Sequence, residues 1–77
     1  MILLAKKIIQ YNGRNMNYEI FLTDGMLLFK PALYEVDDSY PFAIFTKKGS
    51  DWMLRTELKE DLEERFVDKI KTLRVRA

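Results

Sequence analysis

The stretch Tyr11-Asn12-Gly13-Arg14-Asn15-Met16-Asn17-Tyr18-Glu19-Ile20-Phe21-Leu22-Thr23-Asp24-Gly25-Met26 decides the fold of this chain. Two dipeptides, Asn12-Gly13 and Asp24-Gly25, bracket one alternating run. A two-residue type I′ hairpin turn needs positive φ at both central positions, which Asn-Gly and Asp-Gly supply at least cost. Between them Met16, Tyr18, Ile20 and Leu22 point to one face, and Asn17, Glu19, Phe21 and Thr23 to the other. The run therefore predicts a strand near 16–23 shared by two hairpins.

Counting outward from each turn sets a register. The Asp24-Gly25 turn pairs Thr23 with Met26, Leu22 with Leu27, Ile20 with Phe29 and Glu19 with Lys30. The Asn12-Gly13 turn pairs Met16 with Ile9, Glu19 with Lys6, Ile20 with Ala5 and Leu22 with Leu3. Two turns assigned independently converge on one cross-strand row, Lys6–Glu19–Lys30. Opposite charges directly across a ladder favour that register.

Strands are expected near 2–11, 16–23, 26–35, 42–47 and 51–55. Lys48-Gly49-Ser50 is a third turn, and Val36-Asp37-Asp38-Ser39-Tyr40-Pro41 is a longer loop ended by Pro. A helix is expected near 57–74. Leu58, Leu62, Phe66, Ile70 and Leu73 recur at steps of four or three and draw one apolar stripe. Thr56 is the expected N-cap. Acids crowd the first half of this segment and bases its end, in the order that the helix dipole favours. Ser50-Asp51 offers a second start, for a longer helix that would include Trp52. The expected fold is α+β: an antiparallel five-stranded β-meander, flat or curled into a small half-barrel, with a C-terminal amphipathic helix packed on it.

Length and composition agree with a single small domain spanning 1–77. The chain has 77 residues, 48% of them hydrophobic and 32% charged. It is globular by composition and too short for a deep core. Thirteen basic and twelve acidic residues leave a net charge of +1. Residues 1–35, 36–56 and 57–77 each stay close to balance, so no lopsided positive field marks a nucleic-acid domain. There is no Cys and no His. Thiolate chemistry, disulfides and Cys/His zinc sites are therefore excluded, and so is the commonest general base. The start, Met1-Ile2-Leu3-Leu4-Ala5-Lys6-Lys7, does not read as a signal peptide, and no apolar run reaches membrane-spanning length. A cytoplasmic protein without a membrane is the expectation.

The register also defines two faces. The expected core face carries Leu3, Ala5, Ile9, Met16, Tyr18, Ile20, Leu22, Leu27, Phe29 and Leu33. Lys7 falls on it too, where an inward lysine protects an edge strand and its stem can snorkel to water. The opposite face is polar around Lys6, Asn17, Glu19 and Lys30. Yet it also aligns Leu4, Phe21 and Leu28 as a second apolar row, flanked by Ile2 and Met26. Three readings of that row stand open: strands four and five curl over it, it docks a partner or a second copy, or it is scattered exposed apolar surface.

Other candidate sites are thinner. Asp37-Asp38-Ser39 lacks the spacing of a cation loop and reads as a turn. Tyr34, Tyr40, Phe42, Phe45 and Trp52, with Lys47, Lys48 and Arg55, form an aromatic and basic set. It reads first as core and second as a surface for a peptide or single-stranded nucleic acid, with Tyr40, Lys47, Lys48 and Trp52 at its centre. Ser39, Thr46 and Ser50 have no partner base, and no phosphate-binding glycine motif occurs, so no enzyme is expected. No metal or cofactor is implied. The sequence points to a non-catalytic interaction or assembly module whose partner is another protein or a second copy of itself. A nucleic-acid-binding module using Lys47, Lys48, Arg55 and nearby aromatics is the alternative.

Overall fold

A computed structural model describes residues 1–32 and 40–73. The elements are β1 (Ile2–Tyr11), β2 (Arg14–Thr23), β3 (Met26–Pro31), β4 (Ala43–Lys48), β5 (Asp51–Leu54) and α1 (Glu60–Ile70). The strands form one antiparallel sheet in the order β1-β2-β3-β4-β5. The α+β meander with a C-terminal helix is thus the observed architecture. The sheet is open, with β1 and β5 at its edges, and is not closed into a barrel.

The two hairpins are built as their dipeptides require. Asn12 and Gly13 have φ of 50° and 73°, and Asp24 and Gly25 have 47° and 76°. Both central positions are left-handed, so both turns are of the kind whose twist matches the strands. Tyr11 pairs with Arg14, and Thr23 with Met26. The row Lys6–Glu19–Lys30 is present as expected.

Helix and sheet enclose one core. Ile9, Met16, Tyr18, Ile20, Leu27, Phe29, Ala43 and Phe45 of the sheet are buried with Leu62, Phe66 and Ile70 of α1. At its centre four rings meet edge to face. Phe66 lies 4.9 Å from Phe29 and 5.1 Å from Tyr18, and Phe29 lies 5.7 Å from Phe45. Such T-shaped pairs add about 0.5–1.5 kcal/mol each beyond burial. The Tyr18 hydroxyl donates to the Pro41 carbonyl at 2.7 Å, so the one polar tip in this cluster is satisfied.

Three expectations are corrected. The first concerns β1. Ile9–Met16, Lys6–Glu19 and Ala5–Ile20 pair as expected, but the register shifts between Leu3 and Ala5. Leu3 then faces Phe21, and Ile2 faces Leu22. A bulge inserts one extra residue, and a one-residue slip exchanges the faces beyond it. Leu4 consequently packs against the core, while Leu3 is 45% exposed on the other side.

The second correction concerns the helix start. α1 begins at Glu60, and Thr56 is not its cap. The Thr56 hydroxyl instead accepts a bond from the Ile44 N–H at 3.3 Å, closing the β4–β5 ladder. Lys59 holds the N-cap position without a side-chain bond. The Asp61 carboxylate serves the helix end in its place, accepting from the Leu62 N–H at 2.9 Å. Leu58 and Leu73 still pack on the core from either side of the helix. The third correction is that Trp52 lies in β5, so the longer helix from Ser50-Asp51 does not form. The expected end of the third strand with Leu33 and Tyr34, and the Asp37-Asp38-Ser39 turn, lie outside the described residues.

Candidate interaction surface

Strand alternation carries the site. On the outer face, opposite the helix, successive Cα pairings give the row Leu3–Phe21–Leu28–Ile44 across four strands. The next row is Thr23–Met26–Thr46–Met53. Together they carry Leu3, Phe21, Leu28, Ile44, Met26 and Met53. Two rows across four strands cover roughly 250 Å² of flat area at ordinary strand spacing. That approaches the size at which an apolar patch on a small protein is more than scatter. Lys6–Glu19–Lys30 borders the patch on one side.

The sequence-predicted row was Leu4–Phe21–Leu28. Phe21 and Leu28 are there, both half-buried, and they are directly opposed. Leu4 is not; the bulge replaces it with Leu3. β4 lengthens the row through Ile44, in register with Leu28, and lies beside it in the same sheet. The helix side chains that are buried in the core, Leu62, Phe66 and Ile70, all meet the other face. Among the described residues no element lies over the outer one.

The aromatic and basic set is dispersed. Phe45 is fully buried, and Phe42 is 51% exposed ahead of β4. Tyr40 packs on the core rim beside Pro41. Trp52 is half-buried at the far end of β4–β5, and the Lys47 ammonium sits over its ring at 5.7 Å. Lys47 pairs with Trp52 and Lys48 with Asp51 across the ladder. Five residues of strand, or about 16 Å, separate the Phe42 end of β4 from Lys47. Tyr40 therefore does not share a surface with Lys47, Lys48 and Trp52. Arg55 is exposed just past β5, and its backbone N–H donates to Ile44 at 2.7 Å.

A cleft of about 490 Å³ opens at the other end of the molecule. The first hairpin supplies Tyr11, Asn12, Arg14 and Met16, and Leu58, Lys59 and Leu62 close it from the helix side. Sequence reasoning did not find it, because its walls come from segments nearly fifty residues apart. At its rim the Tyr11 hydroxyl donates to Asp61, with both carboxylate oxygens at 3.1 Å. Desolvation, and then the hydrogen bond and negative charge of Asp61, hold the Tyr11 phenol above its ordinary value of 10.0. This contact ties the sheet to the first turn of α1. Among the described residues no three acidic side chains converge on a point where a metal ion would sit.

No family model, no curated protein and no solved structure matches this chain.

Proposed function

We propose that this chain is a non-catalytic protein-interaction or assembly module that works through the outer face of its sheet. The observation that supports it is the unbroken apolar row Leu3–Phe21–Leu28–Ile44, which crosses four strands on the side away from α1. An antiparallel sheet with one solvated face is normally polar on that face. Here the charges lie along the Lys6–Glu19–Lys30 border, and on the other side of the apolar row the threonines Thr23 and Thr46 alternate with Met26 and Met53. An apolar centre with a charged rim is the ordinary anatomy of a docking surface.

The test is photocrosslinking in cells. A photoactivatable phenylalanine analogue replaces Phe21 in one variant and Arg65, exposed on α1, in another. The expected result is protein adducts joined through position 21 and few through position 65. Equal yields at the two positions would remove the outer face as the binding surface.

A further inference from the structure

We infer that the occupant of the outer face is a second copy of this chain, packed face to face about a twofold axis that runs parallel to the strands between β2 and β3. The inference rests on the outer face being a protein-docking surface and names its partner.

The argument is one of self-complementarity. A twofold interface presents the same patch from both sides, so each residue meets the mirror position of its own pattern. An axis between β2 and β3 places β2 over the partner's β3 and β1 over the partner's β4. Glu19 and Lys30 are directly opposed within one chain, on β2 and β3. The axis therefore sets Glu19 of each copy against Lys30 of the other, which makes two reciprocal pairs of opposite charge. In the next row Phe21 and Leu28 are opposed in the same way. Phe21 of each copy then meets Leu28 of the other, and Leu3 meets Ile44. The Glu19–Lys30, Phe21–Leu28 and Leu3–Ile44 pairings match in character, acid on base and apolar on apolar. Lys6 falls over the second copy's chain just ahead of Ala43, at the exposed Phe42, and meets no charge there.

The area agrees. Four strands by three rows measure about 19 Å by 20 Å, or about 800 Å² of flat footprint for two copies. Side-chain corrugation raises the accessible surface removed toward about 1,000 Å², where specific interfaces begin. The result is a modest, concentration-dependent dimer.

Edge-to-edge association is the competing geometry, and the edges are built against it. β1 carries the bulge and the adjacent Lys6 and Lys7, and β5 has four residues. Bulges, charges and short edge strands are all devices against edge pairing.

The experiment is sedimentation velocity on Glu19→Lys, on Lys30→Glu and on their equimolar mixture, beside the unaltered protein. The proposed geometry makes each variant repel its own kind. In the mixed pair, however, Lys at position 19 meets Glu at position 30, while the remaining pair is the natural Lys30 against Glu19. The expected result is a dimer for the unaltered chain, a shift of each variant to monomer by tenfold or more in dissociation constant, and recovery of the dimer on mixing. Recovery between two different chains cannot come from repair of the ladder within one. If three lysines in one row unfold Glu19→Lys, the pair Phe21→Lys and Leu28→Glu reads the same geometry.

A monomer at millimolar concentration, variants as dimeric as the parent, or a mixture that stays monomeric would each overturn the inference. The crosslinking test separates its failure from that of the surface itself. Position 21 joined to a different polypeptide, with the chain monomeric, ends self-pairing and leaves the docking surface standing. Position 21 joined to nothing ends both.

Discussion

The two faces of this sheet are made from the same strands and meet different fates. The inner face offers Ile9, Tyr18, Ile20, Leu27, Phe29 and Phe45, each buried to within 1% of complete. The outer face offers Leu3, Phe21, Leu28, Ile44 and Met53, which are half-buried by their neighbours or open to solvent. Both are apolar, but α1 has a single buried stripe, Leu62–Phe66–Ile70, and covers one face only. Apolar character in a strand therefore does not by itself mean interior. What decides it is how much covering structure the chain carries.

The largest way to break the comparison is at the inner face. Phe66→Ala removes the ring that touches both Tyr18 and Phe29. Large-to-small changes of this kind cost about 3–5 kcal/mol. Against a total stability of about 5–15 kcal/mol for a natural domain, urea denaturation should show a transition near collapse. A midpoint within error of the parent would mean that the helix does not seal the core.

The bulge sharpens the comparison further, because it exchanges two neighbouring leucines between the faces. Leu4→Asp puts a carboxylate against the core and is expected to cost about 2 kcal/mol or more. Leu3→Asp puts it at the outer rim and should cost within about 0.5–1 kcal/mol. The reverse order in thermal or urea melts would restore the unbulged register.

The smallest expected effect is a polar one at the rim of the inner face. The Tyr11 phenol is held above its ordinary value of 10.0 by desolvation and by Asp61. The folded chain thus keeps this proton more tightly than the unfolded one. The stability it contributes is complete below about pH 10 and is lost as pH rises through that value toward the folded one. Tyr11→Phe should make the alkaline decline in melting temperature shallower and leave the neutral value little changed. An identical decline would show that the contact with Asp61 is not formed.

Much of this was legible in residues 11–26 alone. Asn12-Gly13 and Asp24-Gly25 have few other uses than tight hairpins, and each fixes a register by counting. Phe21 and Leu28 followed as opposed residues on the outer face. The bulge was not legible, because Ile2-Leu3-Leu4-Ala5 is apolar at every position and satisfies either alternation. Leu4 was therefore assigned to the wrong face. The helix start was missed for a related reason. Thr56 is a good cap by type, but a hydroxyl that can cap a helix can equally end a β-ladder, and Ile44 claims it. The aromatic set failed as a site because nearness in sequence is not nearness on a meander. Tyr40 precedes β4, whereas Trp52 lies on β5 beside the far end of β4.

The central claim is that the outer row is an uncovered docking surface and no part of this chain's own core. Phe21→Glu tests it most directly, with urea denaturation at low concentration and light-scattering mass at high concentration read on the same sample. A charge at this half-buried position on the uncovered face should cost well below the roughly 3–5 kcal/mol of a core truncation, and the mass should fall from that of two chains to that of one. A collapse of stability like that of Phe66→Ala, or an unchanged dimer mass, would contradict the account.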